Sequence, residues 1–394
     1  MNILYHHRTQ GQGAEGNHIR EVFHALKRLG HRLDMISPPG VDPLREAIGV
    51  EPKAKPSFIK NTLKTAARHW PQACFEAMEL GYNFYASWQL YAYLKQHSAD
   101  MIYERYAFFC KAPSLISKKF GIPHILEVNE ISGIKRQRAQ AMTGLCNRCE
   151  MEIFRNASAI IVVSDFLKNE IVARGIDAEK IFVMPNAINP GDFDPDADVR
   201  GLRNEMNLQG KSVITFVGMF SGWDRLEFLL DSFAAVRRAV PAAHLVIVGD
   251  GKERATLMEQ AKEKGVADGV TFTGKVPRAA VSRYIALADL CVLSGSNPFG
   301  SPMALFEYMA MGKPVVVPDY TPITAIVDHG VEGYVFPPDN GKLFIDHIVE
   351  LLRNNEKRQA MSAAASKKIA GHFTWENNAK KIIQIYEKVK NVPC

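Results

Sequence analysis

Residues 294–318 read SGSNPFGSPMALFEYMAMGKPVVVP and predict the strand–loop–helix–strand unit that decides the fold. An apolar stretch that ends at Leu293 predicts a strand, and the Gly/Ser/Pro-rich residues after it predict a loop. A helix is expected to start near Ser301-Pro302, because serine is a common N-cap and proline is tolerated in the first turn. Gly312 ends this helix, and Pro314 to Val317 predict the next strand. Backbone N–H groups at such a helix N-terminus attract anions, so this loop is a candidate diphosphate site.

The same alternation of strand and helix extends in both directions from this unit. The glycine-rich loop from Gly11 to Gly16 lies between a predicted strand and a helix whose apolar face spans residues 19–29. Other strands are predicted at 2–6, 31–37, 101–103, 124–128, 159–163, 213–217, 244–248, 270–273, 290–293 and 314–317. Such alternation builds parallel sheets with right-handed crossovers. We therefore predict an α/β fold of two Rossmann-like domains, residues 1–195 and 196–372.

The glycine-rich loop matches a dinucleotide-binding pattern only in part. Gly11, Gly13 and Gly16 fit G-x-G-x-x-G, but the next strand ends in Ser-Pro-Pro-Gly at 37–40, where a ribose-binding acidic residue would be needed. This argues against NAD. Because ligands of open parallel sheets lie at the carboxyl ends of the strands, we expect the functional residues in the loops after the strands and the active site in a cleft between the two domains.

Composition narrows the classes of partner. The formal net charge of +6 suits anionic partners such as nucleotide phosphates and acidic membrane surfaces. No nucleic-acid-binding signature is visible, so nucleic acid is not an expected partner. The six cysteines do not form a disulfide framework, and Cys146 and Cys149 are expected to lie on one helix face. No cluster of His, Cys and Asp has metal-ligand spacing, so no metal site is expected.

Targeting signals and one unusual segment bear on location. No signal peptide and no apolar run of about 20 residues is visible, which predicts a cytoplasmic protein that can lie on the inner face of a membrane. In residues 56–93, Lys60, Lys64 and Arg68 alternate with apolar side chains, and a tyrosine-rich stretch follows. Two compatible interpretations remain open. The segment is a basic amphipathic surface for anionic lipid headgroups, or a pair of helices with an aromatic core and solvated lysines.

Several motifs give the chain its resemblance to a known family. Residues 299–300 (Phe-Gly) and 307–316 (EYMAMGKPVV) are similar to the donor-binding motif of family-four retaining glycosyltransferases of the two-Rossmann (GT-B) fold. Further segments agree in order along nearly the whole chain, namely Val-Val-Ser at 162–164, Met-Pro-Asn-Ala at 184–187 with Phe193, IVGDG at 247–251, Phe-Thr-Gly at 272–274 with Val-Pro at 276–277, and Phe-Thr-Trp at 373–375. The resemblance implies the GT-B fold, a last helix in 373–394 that packs back on the first domain, and a glycosyl transfer reaction.

The resemblance also implies roles for residues of the second domain. Glu307 corresponds to the second glutamate of the family's paired-glutamate motif, which holds the nucleotide ribose by accepting hydrogen bonds from its hydroxyls. The backbone of Ser301, Pro302 and Met303 would meet the donor phosphates, and Val276 would contact the base.

In the first domain, the resemblance implies that Gly13 and Gly16 line the cleft. Asn129 and Glu130 follow a strand near the position where many members place a histidine that faces the sugar.

This sequence departs from the family pattern at the first glutamate of the pair. Aligning on Glu307 puts Phe299 there, whereas aligning on Phe299-Gly300 puts Asn297 there. We prefer Asn297, because an amide can hydrogen-bond to sugar hydroxyls.

A second departure concerns the cations that usually neutralise the pyrophosphate. Their positions, in the loop after the strand at 213–217, are taken by Met219 and Asp224, and Arg225 is the candidate substitute. A departing diphosphate needs positive charge or N–H dipoles. The loss leaves open a reduced activity or none.

Together these features predict a retaining glycosyltransferase without a metal or other cofactor. It would move a sugar from a nucleoside-diphosphate sugar to a glycan or lipid-linked acceptor, in cell-surface polysaccharide or glycoconjugate assembly. Two alternatives are a nucleotide-sugar 2-epimerase on a similar fold and a non-catalytic nucleotide-sugar-binding relative. The sequence does not name the sugar, the base or the acceptor.

Overall fold

The chain folds into two compact units. A computed structural model describes residues 1–11, 13–44, 71–134 and 140–391. The first unit comprises Met1–Met184 and Glu376–Cys394, and the second comprises Pro185–Trp375. The division therefore falls after Met184 and not at residue 195. The reason is that Asn186 belongs to the second unit, where its N–H donates to Ser301 Oγ (3.0 Å) and its Nδ2 to the Ser301 carbonyl (2.6 Å).

The first unit contains a parallel sheet of six strands in the order β2-β1-β3-β4-β5-β6. Its strands are β1 (Asn2–His7), β2 (Arg32–Ile36), β3 (Met101–Arg105), β4 (His124–Val128), β5 (Ala159–Val162) and β6 (Ile181–Val183). Its helices are α1 (Gly13–Arg28), α2 (Gln72–Gln96), α3 (Ala112–Phe120), α4 (Thr143–Asn156) and α5 (Asp165–Ala173). Strands buried on both faces need continuous apolar runs, and β5 meets this need with four buried residues.

The second unit contains another parallel sheet of six strands in the order β12-β11-β10-β7-β8-β9. Its strands are β7 (Ser212–Gly218), β8 (Ala243–Gly249), β9 (Val270–Gly274), β10 (Leu290–Val292), β11 (Val315–Pro318) and β12 (Gly333–Phe336). Its helices are α6 (Arg200–Glu205), α7 (Leu226–Ala239), α8 (Arg254–Glu263), α9 (Arg278–Ala286), α10 (Met303–Ala310), α11 (Thr321–Thr324), α12 (Gly341–Arg353) and α13 (Asn355–His372). The last helix, α14 (Trp375–Val389), begins at the end of this unit and continues into the first. These two sheets confirm the predicted α/β fold class.

The structure of the first helix, α1, shows where the glycines of the sequence motif lie. Its predicted apolar face is buried, with Ile19, Val22 and Leu26 at most 1% exposed. However, α1 begins at Gly13, so Gly16 lies in its first turn and not in a loop, as the motif suggested. A Cβ on Gly16 would lie 2.1 Å from the Gly11 carbonyl oxygen, so the helix can approach this loop only because residue 16 lacks a side chain.

The segment at 56–93 is described only from residue 71 onward. There it forms α2, whose buried residues include Ala86, Leu90 and Leu94, while Phe84 and Trp88 are 84% and 64% exposed. Lys60, Lys64 and Arg68 lie outside the described residues. Among the described helices, none is long and apolar enough to cross a membrane.

Candidate active site

The second unit places Glu307 at the carboxyl ends of its strands, on α10. This carboxylate is 2% exposed, and the helix that carries it is anchored to the sheet. The neighbouring Tyr308 hydroxyl accepts a hydrogen bond of 2.6 Å from the Val217 N–H at the end of β7. Arg278, the first residue of α9, donates through Nη2 to Glu307 Oε1. A buried carboxylate is costly without a cationic partner, so this ion pair compensates the burial of Glu307.

The loop between β10 and α10 is organised by Asn297. Its side-chain Oδ1 accepts from the N–H of Phe299 (3.2 Å) and from the N–H of Gly300. A Cβ on Gly300 would lie 2.7 Å from that Oδ1, so this position favours glycine. The Asn297 amide oxygen thus shapes its own loop, as asparagine often does in turns. The Phe299 ring packs edge-on against Trp223.

The helix begins later than the sequence predicted. The N-cap is Pro302 and the first helical residue is Met303, so Ser301 does not cap the helix. The Ser301 hydroxyl instead accepts from the backbone N–H of Asn186. There is no side-chain cap at Pro302, and within the first turn the Leu305 N–H donates to the Pro302 carbonyl (3.1 Å), so the N–H groups that precede it lie at the helix N-terminus without a side-chain cap.

The loop after β7 carries Met219 and Asp224, which replace the family's usual cations, and Arg225, the candidate substitute. Met219 is 75% exposed. Asp224 Oδ2 accepts from the N–H (2.7 Å) and the hydroxyl (2.9 Å) of Ser221, and burial raises the pKa of Asp224 despite these bonds. Arg225 adopts a left-handed backbone (φ 50°), and its guanidinium donates to the Pro338 carbonyl and lies over the Phe228 ring. The Arg225 side chain is thus one-third exposed and held by its own unit.

Val276, the predicted base contact, follows β9 and is half-buried. It packs against the apolar core of the second unit, immediately before Pro277, which is the N-cap of α9. Val276 and Arg278 therefore flank the start of the same helix, and Arg278 links that helix to Glu307.

In the first unit, Asn129 and Glu130 follow β4 and are both half-buried. Asn129 Nδ2 donates to Glu127 Oε1 (2.8 Å), and that same oxygen lies 2.7 Å from Arg105 Nη1 and 2.6 Å from His18 Nε2. The Tyr103 hydroxyl donates to the other oxygen, Oε2, at 2.6 Å.

Glu127 is the centre of this group. Burial on its own would raise the pKa of the Glu127 carboxyl, but the charges of His18 and Arg105 and the hydrogen bonds to it lower this pKa below its usual range. The carboxyl group is therefore ionised at neutral pH.

Gly13 is exposed at the start of α1, whereas Gly16 is buried against Gly11. His18 lies on this same helix. The first helical turns thus place an exposed glycine and the Glu127 group in one region of the first unit.

A second buried polar group occupies the opposite face of the same sheet. Glu104 Oε2 lies 2.8 Å from His124 Nε2, and its Oε1 lies 3.6 Å from His6 Nδ1. Donor atoms of His6, Glu104 and Cys110 lie within 4.8 Å of one another, a proximity that the sequence spacing did not suggest. All three side chains are fully buried, whereas Asn129 and Glu130 in the loop after β4 are half-buried.

Two family models match the chain in sequence. The model of glycosyltransferase family 4 matches residues 15–192, and the model of glycosyl transferases group 1 matches residues 200–368. Between them they cover most of both units. The chain belongs to the group 1, family-four glycosyltransferases.

Individual relatives agree with this assignment. The chain is 24% identical to the alpha-D-kanosaminyltransferase of Streptomyces kanamyceticus over 70% of this chain and 73% of that protein. It is 26% identical to the GDP-mannose-dependent alpha-(1-6)-phosphatidylinositol monomannoside mannosyltransferase of Mycobacterium tuberculosis, over 57% of this chain and 60% of that protein. The crystal structure of the Anabaena protein HepE in complex with UDP has a TM-score of 0.71 at 17% identity, covering 98% of this chain and all of that one. That likeness shows that the fold of the glycosyltransferase is GT-B.

Sequence reasoning missed two basic side chains, Arg278 and His18, that contact carboxylates at or beside the predicted sites. Arg278 directly follows the Val276-Pro277 motif, and its position next to a predicted base contact could have identified it. His18 lies two residues after the glycine motif. Glu127 could have been identified as a carboxylate inside a buried strand of five residues. Such a group needs hydrogen-bond donors from neighbouring elements.

Proposed function

We propose that this glycosyltransferase moves a hexosyl or related sugar from a nucleoside-diphosphate sugar to a glycan or lipid-linked acceptor, with retention of anomeric configuration. The observation that carries the donor proposal is the buried Glu307 carboxylate at the carboxyl end of the second sheet. A carboxylate has two oxygens that are able to accept hydrogen bonds, which suits a ribose with two hydroxyls. Val276, at the start of α9, supplies backbone groups for the base.

The diphosphate is proposed to bind at the start of α10. Ser301, Pro302 and Met303 present their backbone there, and the uncapped first turn offers N–H dipoles. Arg225 and Arg278 supply positive charge from the loops after β7 and β9, in place of the cations that Met219 and Asp224 replace. These groups act on the diphosphate as it leaves, and no metal ion is needed in this proposal.

A non-catalytic, nucleotide-binding relative is the second candidate function. The observation in its favour is that Asp224 is held by Ser221 and that the Arg225 guanidinium is engaged with Pro338 and Asp339. A 2-epimerase is not supported by the relatives, because the kanosaminyl and mannosyl enzymes are transferases.

The reacting sugar is proposed to meet Asn129 and Glu130 in the loop after β4. Asn297 is proposed as a further donor contact, through its loop with Phe299 and Gly300. Retention rests on the family resemblance, and two of the relatives carry "alpha" in their names.

The acceptor is proposed to come from a membrane surface, at which the protein would lie on the cytoplasmic side. The support is one face of α2, where Met78, Phe84 and Trp88 are 51%, 84% and 64% exposed. Cys74, Ala77 and Gly81 lie on the same exposed face, which ends at Lys95. A helix face that carries exposed aromatic rings and ends at a lysine suits the interface of an anionic bilayer. One of the relatives is named for a phosphatidylinositol-based acceptor.

The proposal is tested by following hydrolysis of the donor when no glycan or lipid acceptor is added, so that water takes the place of the acceptor. UDP-glucose and GDP-mannose are incubated with the purified protein, and the first sugar released is read by proton NMR before it mutarotates. Release of the same anomer as in the donor supports a retaining transferase. Release of the opposite anomer contradicts retention, and an altered sugar indicates an epimerase. Binding of a nucleoside diphosphate without any turnover supports the non-catalytic relative.

A further inference from the structure

The side-chain amide of Asn129 has a fixed orientation. Its Nδ2 donates to Glu127 Oε1, and no described residue donates to its Oδ1. An ionised carboxylate only accepts hydrogen bonds, so it selects the NH₂ end of the amide and turns the carbonyl end away. The orientation of the Asn129 amide therefore follows from the negative charge of Glu127.

Glu127 is held rigidly while it orients the amide. Arg105 and Tyr103 donate to its two oxygens from β3, and His18 approaches from α1. These partners come from one strand and one helix next to β4, so the carboxylate cannot rotate without breaking several charge-assisted hydrogen bonds.

The loop that carries Asn129 is also fixed at its other end. The Glu150 carboxylate on α4 accepts from the Ser132 N–H (2.9 Å) and hydroxyl (2.7 Å), and Arg174 donates to the same group at 2.8 Å. Two buried carboxylates, Glu127 and Glu150, thus hold the start and the end of the segment 129–132. This is the second-layer support that a precisely placed binding group needs.

We propose that Glu127 is a positioning residue that presents the Oδ1 atom of Asn129 to a hydroxyl group of the sugar substrate. The inference rests on the proposed function, in which Asn129 contacts the reacting sugar. Glu127 itself does not touch the substrate; it acts through the amide. An amide oxygen accepts a hydrogen bond from a hydroxyl but repels a carboxylate, so this subsite selects a neutral sugar over a uronic acid at the contacted carbon.

The test is a double-mutant cycle on donor hydrolysis, with UDP-glucose and GDP-mannose as the probes. Glu127→Gln removes the charge that selects the amide orientation, and Asn129→Ala removes the amide. Each single variant is expected to lower kcat about 10- to 100-fold with little change in KM, because the nucleotide is held elsewhere. If Glu127 acts through Asn129, the double variant is no slower than the slower single variant, within about twofold. Losses that multiply would overturn the proposal, because they would show independent roles.

A second measurement reads the orientation without turnover. Protein labelled with ¹⁵N-asparagine gives side-chain NH₂ signals, and the signal that disappears in Asn129→Ala belongs to Asn129. In the wild-type protein, one proton of this NH₂ should exchange slowly with water, and Glu127→Gln should speed its exchange at least about tenfold. Rapid exchange in the wild type would overturn the proposal. Absence of turnover together with slow exchange would instead count against the proposed function alone.

Glu104→Gln is the matched control. Glu104 is a buried residue that directly precedes Arg105 on β3. Its carboxylate pairs with His124 on the face of the sheet opposite to Glu127. We expect this variant to lower the melting temperature as Glu127→Gln does but to leave kcat and the exchange of the Asn129 amide unchanged. A drop in kcat equal to that of Glu127→Gln would show that general destabilisation of the sheet is the cause.

Discussion

Arg278 and Glu307 form an ion pair in which the arginine side chain is 51% exposed and the glutamate side chain 3% exposed. The arginine donates to Glu307 Oε1, so the protein orients one oxygen of this carboxylate. A carboxylate fixed in this way is ready to accept from a ribose hydroxyl without reorganising. The pair thus explains how the glycosyltransferase can keep a buried charge at the start of a binding site.

The proposed ribose role of Glu307 predicts a loss of nucleotide affinity when this side chain is truncated. Glu307→Ala should weaken binding of the preferred nucleoside diphosphate by about 1–3 kcal/mol, the cost of losing charge-assisted hydrogen bonds. Titration calorimetry with the ribonucleotide and its 2′-deoxy analogue locates the effect. The wild-type protein should prefer the ribonucleotide, and the variant should bind both equally.

Glu332→Ala is the control for this experiment. Glu332 is also a buried carboxylate of the second unit, where it accepts from the Asp328 N–H and pairs with Lys368. It should lower stability without changing nucleotide affinity. A Glu307→Ala protein that still prefers the ribonucleotide would show that another group reads the ribose.

Two glycines on helices of the first unit should respond in opposite directions to alanine. At Gly16, a Cβ would lie 2.1 Å from the Gly11 carbonyl oxygen, so Gly16→Ala must displace the backbone of the glycine-rich loop. At Gly81 on α2, nothing lies within 4 Å of the new Cβ. Gly81→Ala should therefore stabilise the protein by about 0.5–1 kcal/mol, the helix propensity difference. Urea unfolding checks both, and equal effects would contradict the close approach at Gly16.

Stability should fall on mild acidification because of His7. Burial, followed by the charges of His6 and Arg105, lowers the pKa of His7 to about 3 in the folded protein. The unfolded chain binds the proton near pH 6.5, so between these values the unfolded state carries more protons. His7 therefore leaves the free energy of unfolding unchanged above about pH 6.5 and lowers it by about 1.4 kcal/mol for each pH unit below that value.

His7→Gln should remove this part of the pH dependence. Urea unfolding at pH 7, 6 and 5, followed by circular dichroism, should show a shallower decrease for the variant than for the wild type. The same decrease in both proteins would mean that His7 takes up a proton in the folded state.

The exposed face of α2 predicts binding to anionic membranes. Replacing Phe84 and Trp88 by serine should weaken co-sedimentation with vesicles of phosphatidylcholine and phosphatidylglycerol at least about tenfold, because burying one large apolar side chain contributes ~1.5–3 kcal/mol. Val331→Ser, at a 49% exposed site in the second unit, is the control and should bind like the wild type. Unchanged binding of the Phe84/Trp88 variant would remove the structural support for a membrane-delivered acceptor.

The strands that carry the sites could be predicted because they are apolar and bounded by turn residues. The strand at 124–128 has the predicted limits, and the sheet strands near 213–217, 244–248 and 290–293 differ from prediction by a residue or two at their ends. The two edge strands β6 and β12 were missed. The first has only three residues, and the second starts with Gly333, so neither offers enough periodicity for recognition.

The partners of the site residues could not be read from the sequence. Glu307 was predicted from a motif, but its cation, Arg278, is 29 residues away in sequence. Likewise, Asn129 was predicted from its place after β4, whereas the groups that fix Glu127 beside it come from α1 and β3. Such pairings depend on which strands become neighbours, and a linear pattern does not contain that information.

The helix start near Ser301 shows a local limit of the same kind. Serine followed by proline fits an N-cap, but the hydroxyl is used by the N–H of Asn186, and the helix begins at Met303. A tertiary hydrogen bond overrides the local preference.

The most direct test of a nucleotide-sugar-dependent transferase is a thermal-shift panel of UDP, GDP, ADP, TDP and NAD, with and without magnesium. A ligand that binds only the folded protein raises its melting temperature. We expect a selective rise in melting temperature with one nucleoside diphosphate, independent of magnesium and smaller in Glu307→Ala. A rise only with NAD, a requirement for magnesium, or no rise with any nucleotide would contradict it.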